Sequence, residues 1–309
     1  PLHDSAAAPD PACTRLLLDF GANPNVLGGD GCAPLHLCTA PGSLCAELLL
    51  AHGARVGLEA RERRLTPLHV AARHGLAAHV ELYLRHGADP SCRSRQGETP
   101  LNAACAAAEH RDAAERYGPV CERLLAAGAD PSAAGRKHHA PLHNACANGQ
   151  AWLVRLLLRH GADPTAANCA GDTPMDCALR AVEEYRDRRP EDTIALLLDH
   201  GAGPVHPKVS DRVRGAALCC RHPPAMEVVL NAYDRIPPAE GWVGAVPPEL
   251  WEFYTSAVLM AGQPRRLQHL ARCALRRSLG PRCHDAVPAL ALPPALRRYL
   301  RLPLQGLIS

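Results

Sequence analysis

The sequence predicts an all-α fold: a solenoid of stacked helix–turn–helix units with projecting turns, followed by a small helical module. Three observations lead there. A Pro-Leu-His triplet or a close relative recurs at Pro1, Pro34, Pro67, Pro100, Pro141 and Pro174, spaced by 33, 33, 33, 41 and 33 residues. A Gly-Ala pair recurs in step with it, at Gly21, Gly53, Gly87, Gly128, Gly161 and Gly201. Aromatic residues are only 4% of the 309, while Ala and Leu dominate. That favours small-residue helix packing over a sheet core, which leans on β-branched and aromatic side chains.

Each unit justifies its own elements. Thr66 and Thr99 are placed to cap a helix with the hydroxyl, and the Pro after each suits the first helical position, where no N–H is needed. A short apolar helix follows, as in Leu68–Ala72. Gly75 or Gly149 breaks it, and a second helix carries a Leu-rich stripe such as Val154, Leu157 and Leu158. Gly161 supplies the left-handed residue that ends that helix. One such pair cannot bury its apolar face alone, so the units must stack. His69 and His143 read as hydrogen-bonding turn residues rather than as ligands.

The unit from Leu65 to Pro90, with Thr66-Pro67-Leu68-His69, Ala71-Ala72, His74-Gly75, Val80, Leu82, Leu84 and Gly87-Ala88-Asp89, resembles the ankyrin repeat. The resemblance covers residues 1–206 as six repeats. Pro1 falls inside the first of them, so further chain is expected upstream. It implies an elongated stack whose turns project to one side, and a protein-binding role. Repeats four and six are long by 8 and 7 residues, at Glu109–Pro119 and Glu183–Asp192. Both insertions are charged and read as longer solvated loops, with a functional loop as the rival. Trp152 stands where such repeats carry a polar residue. It either packs against a neighbouring insertion or anchors a partner, and the sequence leaves both open. Arg61, Arg63, Arg93, Arg95, Arg136, Lys137 and His138 are expected at the tips of the turns. They are the candidate substrate-binding residues, biased basic and suited to an acidic partner segment.

Beyond Gly203 the 33-residue markers stop. Residues 207–262 read as a degenerate helical cap and linker, with short helices over Arg212–Cys220 and Ala225–Tyr233, a loop around Trp242, and a helix over Glu249–Ala261 with Leu250, Phe253, Tyr254 and Ala257 on one face. A cap of this kind is what an open solenoid end needs. From Pro264 onward there are nine Arg and one acid, Asp285. Leu267, Leu270, Ala271, Ala274, Leu275 and Leu279 form one apolar stripe at helical spacing. Arg265, Arg266, Arg272, Arg276 and Arg277 fall off it, and the basic charge is expected on a solvated helix face. Gly280-Pro281 should end the helix, with a second short helix through Leu296, Tyr299 and Leu300. A piece this small has little core of its own, so its stripe needs a partner, the solenoid or another chain.

Residues 263–309 resemble the SOCS box, and an ankyrin array followed by it resembles the ankyrin repeat and SOCS box family. In the elongin-binding part the family shows a Leu, a Cys four residues on and an aliphatic four beyond; these fall on Leu267, Ala271 and Leu275, with Leu270 beside them. In the cullin-selecting part the family shows Leu-Pro-x-Pro; here it is Leu290-Ala291-Leu292-Pro293, followed by Pro294. The closing Leu304–Ile308 fits the family's ending. The resemblance implies a substrate receptor of a cullin-RING ubiquitin ligase, with elongin-B and elongin-C, cullin-5 with its RING partner, and an unidentified protein substrate as partners. It further implies residence in the cytoplasm, with the nucleus as a second compartment. The rival reading is a plain ankyrin adaptor that recruits no ligase.

Composition narrows the rest. The net charge of +3 argues little. The 14 Cys sit in periodic apolar positions such as Cys105, Cys146 and Cys177, and read as reduced small hydrophobes. No CxxC pair occurs despite 17 His, so no metal is expected. No Gly-rich phosphate loop, His-Glu-x-x-His or Gly-x-Ser-x-Gly occurs, so no catalytic residue and no cofactor are expected. The Arg-rich tail lacks the interleaved aromatics of a nucleic-acid groove, and no apolar run approaches a membrane span.

Overall fold

The structure is a computed structural model and describes residues 1–40, 42, 44–110, 112–203, 220–232, 234–236, 244, 246–261, 263 and 265–302. Among the described residues all regular structure is helical, without a strand. The predicted 212–219 segment, Trp242 and the closing residues 303–309 lie outside them. The chain divides into two units, Pro1–Asn144 with Arg159–Ala162, and Ala145–Leu158 with Asp163–Ser309.

The first unit holds α1 (Leu2–Ala7), α2 (Ala12–Asp19), a 3-10 turn at Pro34–Leu37, α3 (Leu44–Ala51), α4 (Pro67–Arg73), α5 (Ala77–Arg85), α6 (Pro100–Ala107) and α7 (Ala113–Ala126). The division falls inside α8 (Pro141–Ala147). The leucines after the recurring prolines, Leu35, Leu68, Leu101 and Leu142, are all buried. Tyr83, also buried, donates its hydroxyl to the Leu35 carbonyl at 3.3 Å.

The recurring histidine does the joining. In His69, Nδ1 accepts the backbone N–H of Thr66 at 3.2 Å, so the proton sits on Nε2, which donates to the Glu98 carbonyl 2.9 Å away in the next repeat. His36 does the same between Ala33 and Leu65, at 3.1 and 2.9 Å. His3 reaches the Val26 and Cys32 carbonyls, each at 3.0 Å. Repeat four carries Asn102 in this place; its Nδ2 donates to the Ala133 carbonyl at 2.6 Å, while Thr99 Oγ1 accepts the Asn102 N–H at 3.3 Å. The hydroxyl cap read from the sequence is therefore made at Thr99. At Thr66 the imidazole caps the helix from the other side.

The insertions expose many of their charges, as read, but they are more than solvated loops. In repeat four the added residues lengthen the second helix: α7 has 14 residues, against 8 in α3 and 9 in α5, with Pro119 inside it. Tyr117 on this extension is buried and donates its hydroxyl to the Arg73 carbonyl at 3.0 Å. Arg116 donates Nε to the His74 carbonyl at 3.0 Å and covers Gly75, where a Cβ would lie 2.6 Å from the arginine chain.

The second unit repeats the device. It holds α9 (Ala151–Arg159), α10 (Pro174–Ala181) and α11 (Pro190–Asp199), the last two flanking a 3-10 turn at Arg186–Arg188. Tyr185 covers Gly149, where a Cβ would lie 2.8 Å from the Tyr185 Cβ. Arg188 stacks on the Tyr185 ring at 4.4 Å and donates to the Asn148 carbonyl at 2.9 Å. Each insertion thus seals the inter-helix turn of the repeat before it. Gly75 and Gly149 have φ of 65° and 61°, so both turns need glycine for backbone and for space.

In the same unit follow α12 (Pro223–Asn231), α13 (Trp251–Met260), α14 (Leu267–Leu279), α15 (Cys283–Ala289) and α16 (Pro294–Leu300). His222 Nδ1 accepts the Ala225 N–H at 3.2 Å, which starts α12 at its two prolines rather than after them. Tyr254 and Ala257 are the buried face of α13. Helix α15 was not legible in the sequence; its Cys283 and Val287 pack with Leu300, Leu275 and Leu279.

Two outcomes test this account. Burial holds the His36 and His69 imidazoles below the ordinary histidine range. The unfolded chain, titrating near pH ~6.5, therefore takes up protons first, and stability should fall as pH drops below about 6.5. Thermal melts from neutral pH to about pH 5 should show this, with a shallower slope in His69→Asn, which keeps the Nδ2 bridge; an unchanged slope would refute the role of His69. Gly149→Ala should cost roughly 1–2 kcal/mol from the left-handed backbone alone, plus displacement of Tyr185, as read by urea denaturation.

Candidate protein-docking site

Helix α14 is amphipathic, but part of its basic face, against the sequence expectation, is turned inward. Arg265 and Arg272 are only 5% and 3% exposed. Arg265 donates to the Leu230 carbonyl at 3.4 Å and to Asn231 Oδ1 at 3.1 Å; Arg272 donates to the Asn231 carbonyl at 3.0 Å. Both guanidiniums reach His269 Nδ1, at 3.3 and 2.9 Å, and Arg272 lies 4.4 Å over the Tyr299 ring. These contacts use the carbonyl end of α12, where the helix dipole favours a cation. Burial pulls the Arg265 pKa down to about 10, and the neighbouring Arg272 charge acts the same way. Arg265 still stays charged at neutral pH. Burial likewise raises the Cys273 thiol, whose Sγ lies 3.4 Å from His269 Nε2.

The expectation of a solvated arginine face is therefore corrected at Arg265 and Arg272, and at Arg276. Arg276 donates to the Leu300 carbonyl at 2.6 Å and pairs with Asp199, at the end of α11, at 2.7 Å. Beside this pair His200 stacks on His284 with ring centres 3.8 Å apart. Arg266, exposed, and Arg277, in an exposed pair with Asp234 at 2.9 Å, behave as read. The signal missed in the sequence is that this helix has no acid of its own to match its cations, so backbone carbonyls and acids of other elements do.

The apolar stripe is divided rather than continuous. Leu275 and Leu279 pack onto Cys283, Val287 and Leu300. Leu267 is 82% exposed, Ala271 and Ala274 are exposed beside it, and Leu270 is half-buried. In the following turn Leu290 and Leu292 pack onto the same small core, closed by the Leu292 N–H on the Leu290 carbonyl at 2.8 Å, while Pro293 and Pro294 are exposed.

In the first unit Arg61, Arg63, Arg93, Arg95, Arg136, Lys137 and His138 are all exposed, each on a turn ahead of a Pro-Leu helix. The Arg95 N–H donates to the Arg63 carbonyl at 2.8 Å, and Arg93 donates to the Ala134 carbonyl at 2.8 Å, so successive turns are linked. Lys137 and His138 hold φ of 56° and 58°. In the second unit Trp152 is half-buried and its indole N–H donates to Gln150 Oε1 at 2.9 Å.

Most described thiols are buried, as read, while Cys13 and Cys169 are exposed; burial raises Cys38 to about 12 and Cys177 to about 11. Among the described residues no three His, Cys, Asp or Glu side chains gather as a metal site, and no helix is long and apolar enough to cross a membrane.

The SOCS box family matches residues 263–301, and ankyrin repeat families match residues 49–104 and 110–208. The chain is 54% identical over its whole length to ankyrin repeat and SOCS box protein 16 of Mus musculus and of Homo sapiens, spanning 68% of each. It is 42% identical over its whole length to ankyrin repeat and SOCS box protein 18 of Homo sapiens, spanning 74% of it. Repeats, box helices and whole-length relatives agree: the chain belongs to the ankyrin repeat and SOCS box family.

Proposed function

We propose that this chain is the substrate-recognition subunit of a cullin-RING ubiquitin ligase. Residues 1–206 hold a protein client, residues 207–262 cap the array, and residues 263–309 recruit the ligase. Elongin-C, within the elongin-B/C dimer, takes Leu267, Leu270, Ala271 and Leu275. Leu290, Leu292, Pro293 and Pro294 select cullin-5 with its RING partner. The recruited enzymes perform ubiquitin transfer, and the receptor contributes proximity, which turns a bimolecular encounter into an effectively intramolecular one. The chain itself is no enzyme. It works in the cytoplasm, with the nucleus as a second compartment.

One observation carries the reading. Helix α14 buries Arg272, with Arg265 just ahead of it, against its own body and leaves Leu267 free with Ala271 and Ala274 beside it. An amphipathic helix in that orientation forgoes burial of its apolar end unless another protein supplies it. Support on the client side is the row of exposed turn residues from Arg61 to His138. Trp152, half-buried and tied to Gln150, is kept as a candidate contact through its open edge.

Leu267→Asp should abolish co-purification with elongin-B/C while leaving the melting temperature unchanged, because the side chain is free of the fold. No stable complex with the unaltered chain would return it to the adaptor reading, and a complex retained by the variant would refute the role of Leu267. Ala271→Cys restores volume at the position where the family carries Cys and should tighten elongin-B/C binding by about 1–2 kcal/mol, measured by calorimetry.

A further inference from the structure

Three consecutive turns of the first unit carry exposed cations. Arg61 and Arg63 lie on one, Arg93 and Arg95 on the next, and Arg136 and Lys137 on the third. The turns before and after them in sequence, Gly28–Gly31 and Asn168–Gly171, contain no Lys or Arg. Arg61, Arg63, Arg136 and Lys137 make no side-chain hydrogen bond or ion pair with the described residues. Their near neighbours do: Arg64 pairs with Glu59, and Arg73 pairs with Glu98 at 2.9 Å. Glu59 and Glu98 are thus spent on other arginines, and Asp30 and Glu62 are the exposed exceptions.

The turns are also held in register. Arg61 donates its N–H to the Gly31 carbonyl at 2.9 Å, Arg95 to Arg63 at 2.8 Å, and the Arg93 guanidinium to Ala134 at 2.8 Å. On the third turn two successive non-glycine residues, Lys137 and His138, adopt left-handed backbone, which holds Lys137 at the tip. Behind it opens a polar groove lined by Gln96, Asn102, Arg136, Lys137, His139 and Asn144. Such a groove suits main-chain amides better than apolar side chains.

Stacked repeats place equivalent turns about 10 Å apart, the spacing of packed helices. An extended chain advances roughly 3.3 Å per residue. Three residues of extended chain therefore match one step from turn to turn. We propose that these three turns bind an extended acidic segment of the client, with carboxylates at every third residue, one for each turn. This rests on the reading that the ankyrin part holds a client. It adds the client's charge, its conformation and its spacing.

The test uses the full chain and labelled peptides with three glutamates, placed either at every third position or contiguously, otherwise of equal composition. Fluorescence anisotropy should show the spaced peptide binding at least about tenfold tighter, with the advantage fading as ionic strength rises beyond about 0.15 M. Replacing Arg61, Arg63, Arg136 and Lys137 together by Ser should remove that binding without lowering the melting temperature. Arg93 and Arg95 stay, since their guanidiniums hold backbone carbonyls. Equal affinity for the two peptides, no binding of either, or unchanged binding by the Ser variant would overturn the proposal. Affinity purification from cells in a Leu267→Asp background separates the two levels. Partners retained equally with and without the four Ser substitutions would sink the acidic ladder and leave the client reading standing. No partner retained by either chain would sink the client reading itself.

Discussion

In a solenoid each unit touches only its neighbours, so whatever joins one repeat to the next is repeated along the whole array, and an error in it would be repeated too. In the first unit that joint is a buried imidazole. Nδ1 of His36 or His69 closes the start of its own helix, and Nε2 reaches a carbonyl of the following repeat. Both ring nitrogens are committed and the ring is buried, so only one tautomer of the neutral form fits. Repeat four keeps the inter-repeat half of the bond with Asn102 and transfers capping to Thr99. Two chemistries thus serve one geometry. The buried leucines beside them supply apolar area, but the directional bond sets the register.

The long repeats follow the same logic of covering what a neighbour leaves open. A glycine turn between two short helices exposes the carbonyls of the preceding helix end. Arg116 and Tyr117 take the His74 and Arg73 carbonyls in one case, and Arg188 takes the Asn148 carbonyl in the other. Cation and ring do this together, with the guanidinium lying against the tyrosine.

What could be read from the chain was what is decided locally. The Pro-Leu-His frame, the glycine ends and the short helices depend on residues within a few positions of one another, and the structure has them where the pattern placed them. Tyr117 and Tyr185 could not be read in this way. Each packs on a turn some forty residues earlier, and a charged insertion gives no sign of it. The orientation of α14 was hidden for a related reason. Taken alone, its leucines should face inward and its arginines outward. The carbonyls of Leu230 and Asn231 decide otherwise, and their helix begins two residues before the expected start. The candidate docking residues of the last segment were nameable from its resemblance to the SOCS box. That Leu267 stands free while Leu275 and Leu279 are occupied was not.

Arg276 acts as a mechanical part. It sits on the helix that presents Leu267, and its guanidinium clasps Asp199 at the end of the last ankyrin helix. No hinge separates the two, since the clasp and the exposed leucine share one continuous helical rod. Any protein seated on Leu267 would therefore move with α11 as a single lever. For the receptor proposed above, such stiffness would trade reach for aim.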